Sequence, residues 1–266
     1  MERNLLLTIC FDGGNYCGWQ VQKNGNTIMR ELQNAMEKVL KERPDVKGCS
    51  RTDSKVHAEN YCVSFKTHNS IPPERLVTAL NCKLPDDIAV RQCREVPLDF
   101  HARYSALGKT YTYRVLNSAV RNPFWVGKSM FCRYPISADS IIKEAEPFLG
   151  RHDFSAFCNI GGDTVDNIRT IYSFDAVRHG DLVELSVCGD GFLYNMVRIM
   201  MGTLVNIETG LLPHGSVEEI LNSRNRLRAG HTAPAYGLYL SAVYYDNEFL
   251  KDRKLLGREC VSLDEQ

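Results

Sequence analysis

Along the chain the apolar positions switch between a period of two and a period near three and a half, and each switch marks an element. A first strand is predicted from Asn4 to Phe11, rich in Leu and Ile and stopped by Asp12-Gly13-Gly14. Ile28, Leu32, Ala35, Met36, Val39 and Leu40 then share one helical face, with Asn26 or Thr27 as the cap. Tyr61, Val63 and Phe65 alternate as a strand, Pro73 to Asn81 reads as a short helix, and Ile88 to Val96 returns to strand. Together these segments make one α+β unit of about a hundred residues.

The pattern resumes at Thr110 to Asn117, where Tyr111, Tyr113 and Val115 face one way and Thr112 and Arg114 the other. Ser137 begins a helix carrying Ile141, Ile142, Ala145, Phe148 and Leu149. Ile168 to Arg178 and Leu182 to Cys188 read as a hairpin around His179-Gly180-Asp181. A long helix follows, with Phe192, Met196, Ile199, Met200, Leu204 and Ile207 in register and Gly210 ending it. A short helix after Ser216 and a strand from Gly237 to Tyr245 complete a second α+β unit. The expected division is 1–104, 105–246 and a charged surface tail over 247–266. Strand-helix-strand content in both halves is compatible with a pseudo-duplicated architecture.

Composition narrows the class without assigning a function. The 266 residues are 44% apolar and 24% charged, as in ordinary globular proteins. The longest nearly unbroken apolar stretch, Leu5 to Phe11, is far short of the ~20 residues of a spanning helix, and no cleavage site follows it. A cytoplasmic protein without a targeting signal is expected. Ten cysteines are scattered from Cys10 to Cys260 with no C-x-x-C, so reduced thiols fit better than a disulfide framework or a zinc site.

Lys and Arg number 32, as do Asp and Glu, which excludes a uniformly basic coat. The charge is local instead. From Phe100 to Ala138 there is no acid where about five are expected at the chain-wide frequency, while Arg103, Lys109, Arg114, Arg121, Lys128 and Arg133 are present. A second acid-free stretch, Ile220 to Tyr245, carries Arg224, Arg226 and Arg228. Phe100, His101, Tyr104, Tyr111, Tyr113, Phe124 and Trp125 are interleaved with the first set of cations. That mixture suits RNA, because phosphates take the cations and unpaired bases stack on rings. It equally fits a strand pair with a basic outer face and an aromatic core face.

The most unusual short segment is Gly48-Cys49-Ser50-Arg51-Thr52-Asp53-Ser54-Lys55-Val56-His57-Ala58. Small and polar residues surround one carboxylate, with three basic side chains within a few positions. Such a loop can display an ionised Asp53 beside fixed cations. It can also be a turn in which Asp53 or Ser54 caps a short helix starting near Lys55.

Ser50-Arg51-Thr52-Asp53 followed by Val56-His57-Ala58 resembles the catalytic loop of the TruA family of tRNA pseudouridine synthases, usually Gly-Arg-Thr-Asp-Ala-Gly-Val-His. Phe11 to Gln20 is similar to that family's opening Tyr-Asp-Gly-x-x-Tyr-x-Gly-Trp-Gln. Asp99 to Tyr104 with Tyr111-Thr112-Tyr113 resembles its RNA-contacting segment. Three later motifs also match: His152 to Phe157, Met196-Val197-Arg198 with Gly202-Thr203-Leu204, and Thr232-Ala233-Pro234 with Gly237 to Leu240.

The resemblance implies an α+β pseudouridine synthase fold whose two similar halves join antiparallel sheets across a central RNA-binding cleft. It implies that Asp53 is the catalytic aspartate, that Arg51 helps extrude the nucleotide, and that Arg198 pairs with Asp53. Tyr111 would stack on the target uracil, with Phe100, His101, Ala102, Arg103, Tyr104 and Lys109 as RNA contacts. The substrate would be tRNA, at positions 38, 39 and 40 of the anticodon arm, and the enzyme a homodimer needing no cofactor and no metal. Without the resemblance, Arg198 reads as a lone charged residue at the edge of an apolar helix face, and the basic stretch as a catalytically silent RNA-binding module. A pseudouridine synthase acting on other RNA uridines is a further alternative. Two departures stand out. Ser50 replaces a common Gly, and Ser54-Lys55 replaces Ala-Gly; if that Gly adopts positive φ, Lys55 must accept the strain or bend the loop differently.

Overall fold

The computed structural model describes residues 1–23, 25–159 and 166–246. Ten strands and five α-helices are formed by these residues: β1 (Arg3–Phe11), α1 (Ile28–Leu40), β2 (Lys47–Gly48), β3 (His57–Thr67), α2 (Pro73–Asn81), β4 (Ile88–Val96), β5 (Gly108–Asn117), β6 (Met130–Cys132), α3 (Ala138–Ala145), β7 (Gly150–Asp153), β8 (Ile168–His179), β9 (Leu182–Gly189), α4 (Met196–Glu208), α5 (Ser216–Ser223) and β10 (Leu238–Tyr244). The α+β class read from the sequence holds.

Two compact units result, Met1–Ala106 with Leu238–Val243, and Leu107–Gly237, to which Tyr244 also belongs. In the first, strands run in the order β4-β1-β3-β10, with β2 on β3. The β1 register pairs Leu5 with Phe65 and Leu7 with Val63, and all four side chains are buried. Thr27 caps α1 with its side chain, accepting the Arg30 N–H, and Ile28, Leu32, Ala35 and Met36 bury the face that the spacing marked.

The sequence division placed residues 238–243 with the second half. Instead Tyr239 and Leu240 pair in parallel with His57 and Ala58, which assigns them to the first unit. Periodicity identifies a strand but carries no information about its partner. The expected tail over 247–266 lies outside the described residues.

In the second unit the order is β5-β9-β8-β7, with β6 parallel to β5. The predicted hairpin is β8–β9, turning at Gly180, whose φ of +60° suits glycine. Two helices are shorter than their apolar patterns. Pro147 ends α3 in a 3₁₀ turn over Glu146–Phe148. Asn195, left-handed at φ +61°, starts α4 at Met196 and leaves Phe192 in the preceding loop.

Candidate active site

In the first unit the Asp53 loop is fastened along its length to the segment that follows β1. The Trp19 N–H donates to the Thr52 carbonyl at 3.2 Å, and the Lys55 N–H to the Tyr16 carbonyl at 3.2 Å. Ser54 Oγ donates to that same carbonyl at 3.1 Å. The approach is close enough to require glycine: a Cβ on Gly18 would lie 2.5 Å from the Thr52 oxygen, and one on Gly13 1.9 Å from the Val56 oxygen. This explains the Asp-Gly and Gly-Trp of the opening motif as a mould for the loop. On the other side Cys49 N–H donates to the Cys62 carbonyl at 2.9 Å, and Tyr61 donates its hydroxyl to the Ser50 carbonyl. Tyr61 in turn stacks on Trp19, with ring centroids 4.4 Å apart.

Residues 54–55 form a turn closed by the Val56 N–H to the Asp53 carbonyl at 3.3 Å, and β3 begins at His57. No helix starts near Lys55, so the capping alternative is ruled out. Asp53 is half-buried at the turn while Arg51 is exposed. Lys55 sits at φ +66°, so it accepts the left-handed conformation rather than bending the loop. Ser50 has no such strain; its carbonyl is simply the acceptor for Tyr61.

His57, which the sequence marks only as part of a motif, is 1% exposed. Its Nδ1 lies 3.1 Å from the Gly13 nitrogen and 2.9 Å from Asp12 Oδ1, and its ring stacks on Tyr239 at 4.6 Å.

Residues 100–104 form a tight turn in the same unit. Ala102 is fully buried and its N–H donates to Ser64 Oγ at 3.0 Å, so its contribution is to anchor its neighbours. His101 Nδ1 accepts the N–H groups of Arg103 (3.0 Å) and Tyr104 (3.4 Å). Tyr104 is 77% exposed, with the His101 ring at 4.4 Å and the Arg103 guanidinium 5.7 Å from its ring. Phe100 is half-buried, its carbonyl held by Asn4 Nδ2. Burial, reinforced by the charge of Lys47, pushes the His101 pKa below its ordinary value.

The second unit carries the other candidates. Tyr111 is 6% exposed on β5 and meets Phe192 edge to face at 5.2 Å. Half-buried Lys109 lies nearby on β5, paired in register with Gly189. Arg198, in the first turn of α4, donates from Nε to the Ala233 carbonyl at 2.8 Å and from Nη1 to Asn195 Oδ1 at 2.7 Å. Ala233 returns its N–H to the Arg198 carbonyl at 3.0 Å. A Cβ on Gly202 would lie 1.9 Å from the His231 oxygen, and Thr203 Oγ1 accepts the Gly230 N–H at 2.9 Å. The Gly202-Thr203 and Thr232-Ala233-Pro234 motifs are thus two sides of one junction that orients Arg198.

The linear charge map needs revision. Arg114 pairs with Glu184 across β5–β9 at 2.7 Å, Arg224 with Asp153 at 3.1 Å, and Arg228 with Glu219 at 2.5 Å. Arg226 donates to Asn159, Gly230 and Thr232. Arg226 is thus bound into the fold, while Arg224 and Arg228 make ion pairs exposed to solvent. Among the described residues, no three His, Cys, Asp or Glu side chains cluster as a metal site, the nine cysteines are free thiols, and no helix is long and apolar enough to cross a membrane.

Comparison with known proteins matches residues 8–105 and 145–246 to the model of a tRNA pseudouridine synthase family. A tRNA pseudouridine synthase A of Acetivibrio thermocellus is 43% identical over 91% of this chain and all of its own. A tRNA pseudouridine synthase A 2 of Clostridium tetani is 41% identical over 92% of this chain, again across its whole length. A solved structure titled as a Cbf5–Nop10–Gar1 complex overlaps 94% of this chain and 66% of its own at 13% identity, with a TM-score of 0.37.

Proposed function

This chain belongs to the tRNA pseudouridine synthase family, isomerases acting on tRNA uridines, and from that premise we propose that Asp53 is the nucleophile and that uridines 38, 39 and 40 of the anticodon arm are its targets. The observation that carries the assignment of Asp53 is the fastening of residues 52–55 to Tyr16 and Trp19, which holds one carboxylate on a rigid support.

The reaction breaks the bond from ribose C1′ to uracil N1, turns the base, and joins C1′ to C5. C5 gives up its proton and N1 gains one, so atoms and electrons balance without cofactor or metal. As nucleophile, the Asp53 carboxylate bonds to the electron-poor C1′ as the C1′–N1 bond breaks, and it is displaced when C5 of the turned base attacks C1′. Lifting the base from its stack costs a few kcal/mol, which replacement contacts must offset. Arg51, exposed and adjacent, is suited to the vacated slot, and Tyr111 to covering the uracil face. In this reading Arg198 is the guanidinium partner of the Asp53 carboxylate. His101, Arg103, Tyr104, Phe100 and Lys109 hold the RNA outside the reacting nucleotide, with Ala102 as their anchor. The enzyme works in the cytoplasm as a homodimer.

Substrate tRNA with tritium at uracil C5 tests this reading. Wild type releases label to water, and Asp53→Asn releases none while still binding tRNA. Equal release by both removes Asp53 from the mechanism; no release by either leaves an RNA-binding module. Mapping pseudouridine in tRNA from cells lacking the protein tests the three positions.

A further inference from the structure

One segment is absorbed neither by the catalytic loop nor by the family match, which spans 8–105 and 145–246. Residues 118–129 connect β5 to β6. Because these strands are parallel, with Asn117 opposite Cys132, the connection has to travel back along the pair. Three of its apolar side chains point outward: Phe124 is 91% exposed, Val120 74% and Val126 72%, while Trp125 is half-buried.

The exposure is built in. Asn122 Oδ1 accepts the Phe124 N–H at 3.1 Å, and the Asn122 and Pro123 carbonyls accept the Trp125 and Val126 N–H groups at 3.1 and 3.2 Å. Trp125's carbonyl then takes the N–H groups of Lys128 and Ser129. At its base, Asn117 Nδ2 donates to the carbonyls of Cys132 and Tyr134. A short hydrogen-bonded 3₁₀ turn thus carries a phenyl ring out into solvent, where an unconstrained loop would fold it back onto the protein.

Its charge selects the occupant. Arg121, Lys128 and Arg133 lie in or beside the connection, and the Arg133 guanidinium sits 5.4 Å from the exposed Tyr134 ring. Self-association of this surface about a twofold axis would bring like charges together. A polyanion with accessible aromatic faces matches both features.

We propose that residues 118–134 form a second RNA-binding surface that takes unpaired nucleotides of the tRNA, with Phe124 as the stacking ring and Arg121, Lys128 and Arg133 as phosphate contacts. The proposal rests on tRNA being the substrate.

Binding of full-length tRNA by filter retention tests it with Phe124→Ala and with Arg121→Gln, Lys128→Gln and Arg133→Gln combined. Phe124→Ala should weaken binding about tenfold, as removal of one base–ring stack does. The charge variant should flatten the slope of log K against log salt by about 0.7 for each phosphate no longer neutralised. Unchanged melting temperatures exclude misfolding as the cause. Wild-type affinity and salt slope in both variants overturn the proposal, as does a Phe124→Ala protein that loses self-association in sedimentation while binding tRNA normally. Tritium release by the wild type is read alongside: its absence rejects the premise, whereas release with unaltered variant binding rejects only this surface.

Discussion

Nδ1 of His57 lies 2.9 Å from Asp12 Oδ1 and 3.1 Å from the Gly13 nitrogen, which pins the foot of the Asp53 loop to the turn that ends β1. Removing the ring leaves a buried gap and an unpaired turn, at a cost of about 2–4 kcal/mol. His57→Ala is expected to melt earlier and to slow tritium release on the order of 10²-fold through misplacement of Asp53, with tRNA affinity nearly kept. A variant that loses stability but turns over normally would show that the pin does not position the carboxylate.

Lys55 holds a left-handed conformation that costs an L-residue about 1–2 kcal/mol. Glycine relieves it but adds about 0.5–1 kcal/mol of backbone entropy. Lys55→Gly should therefore gain up to ~1 kcal/mol, a rise of about 2 °C in Tm. Lys55→Ala should gain nothing. Calorimetry of the two variants distinguishes strain at the backbone from a role of the ammonium group, which both remove.

His101 accepts two backbone N–H groups through Nδ1, which it does only while that nitrogen is unprotonated. Its pKa is lowered by burial and the Lys47 charge, so the fold favours the neutral ring. The contribution is complete above the unfolded value near ~6.5 and is lost as pH falls through the lower folded value. Urea unfolding should find His101→Gln less stable than wild type at about pH 7.5, with the gap closing towards about pH 5. A gap that widens on acidification would contradict the acceptor role.

Arg198 forks between the Ala233 carbonyl and the Asn195 amide oxygen. An ammonium group keeps the charge but cannot make that planar fork. Arg198→Lys is expected to lower kcat by about 10- to 100-fold with tRNA affinity little changed. Full activity in the lysine variant would mean that charge alone suffices.

Much of the fold is legible in the chain itself. The Leu5–Phe11 run, the Thr27 cap and the Gly180 hairpin are local signals, and each appears where its spacing places it. The loop's motif marks Asp53, but not its fastening to Tyr16 and Trp19, because most of those bonds run from backbone to backbone and the glycines that permit the approach, Gly13 and Gly18, lie far from the loop in the chain. Ion pairing is equally invisible. Arg114 and Glu184 meet only through the β5–β9 register, and Arg224 and Asp153 through tertiary packing, so a stretch without acids in the chain overstates the surface charge. The early start predicted for α4 fails for a local reason: apolar spacing continues through Phe192, but Asn195 turns the backbone left-handed.

The insertion of Tyr239 and Leu240 beside His57 and Ala58 also sets an order of events during synthesis. Residues 107–237 must be translated before the strand that stacks on His57 leaves the ribosome, a wait of roughly 10 s at ordinary elongation rates. Throughout that interval the nascent chain carries the whole Asp53 loop without its last flanking strand. Completion of the sheet beside the Asp53 loop is thereby deferred until nearly all of the polypeptide has been made, and a chain truncated before Leu238 would lack the strand that stacks on His57.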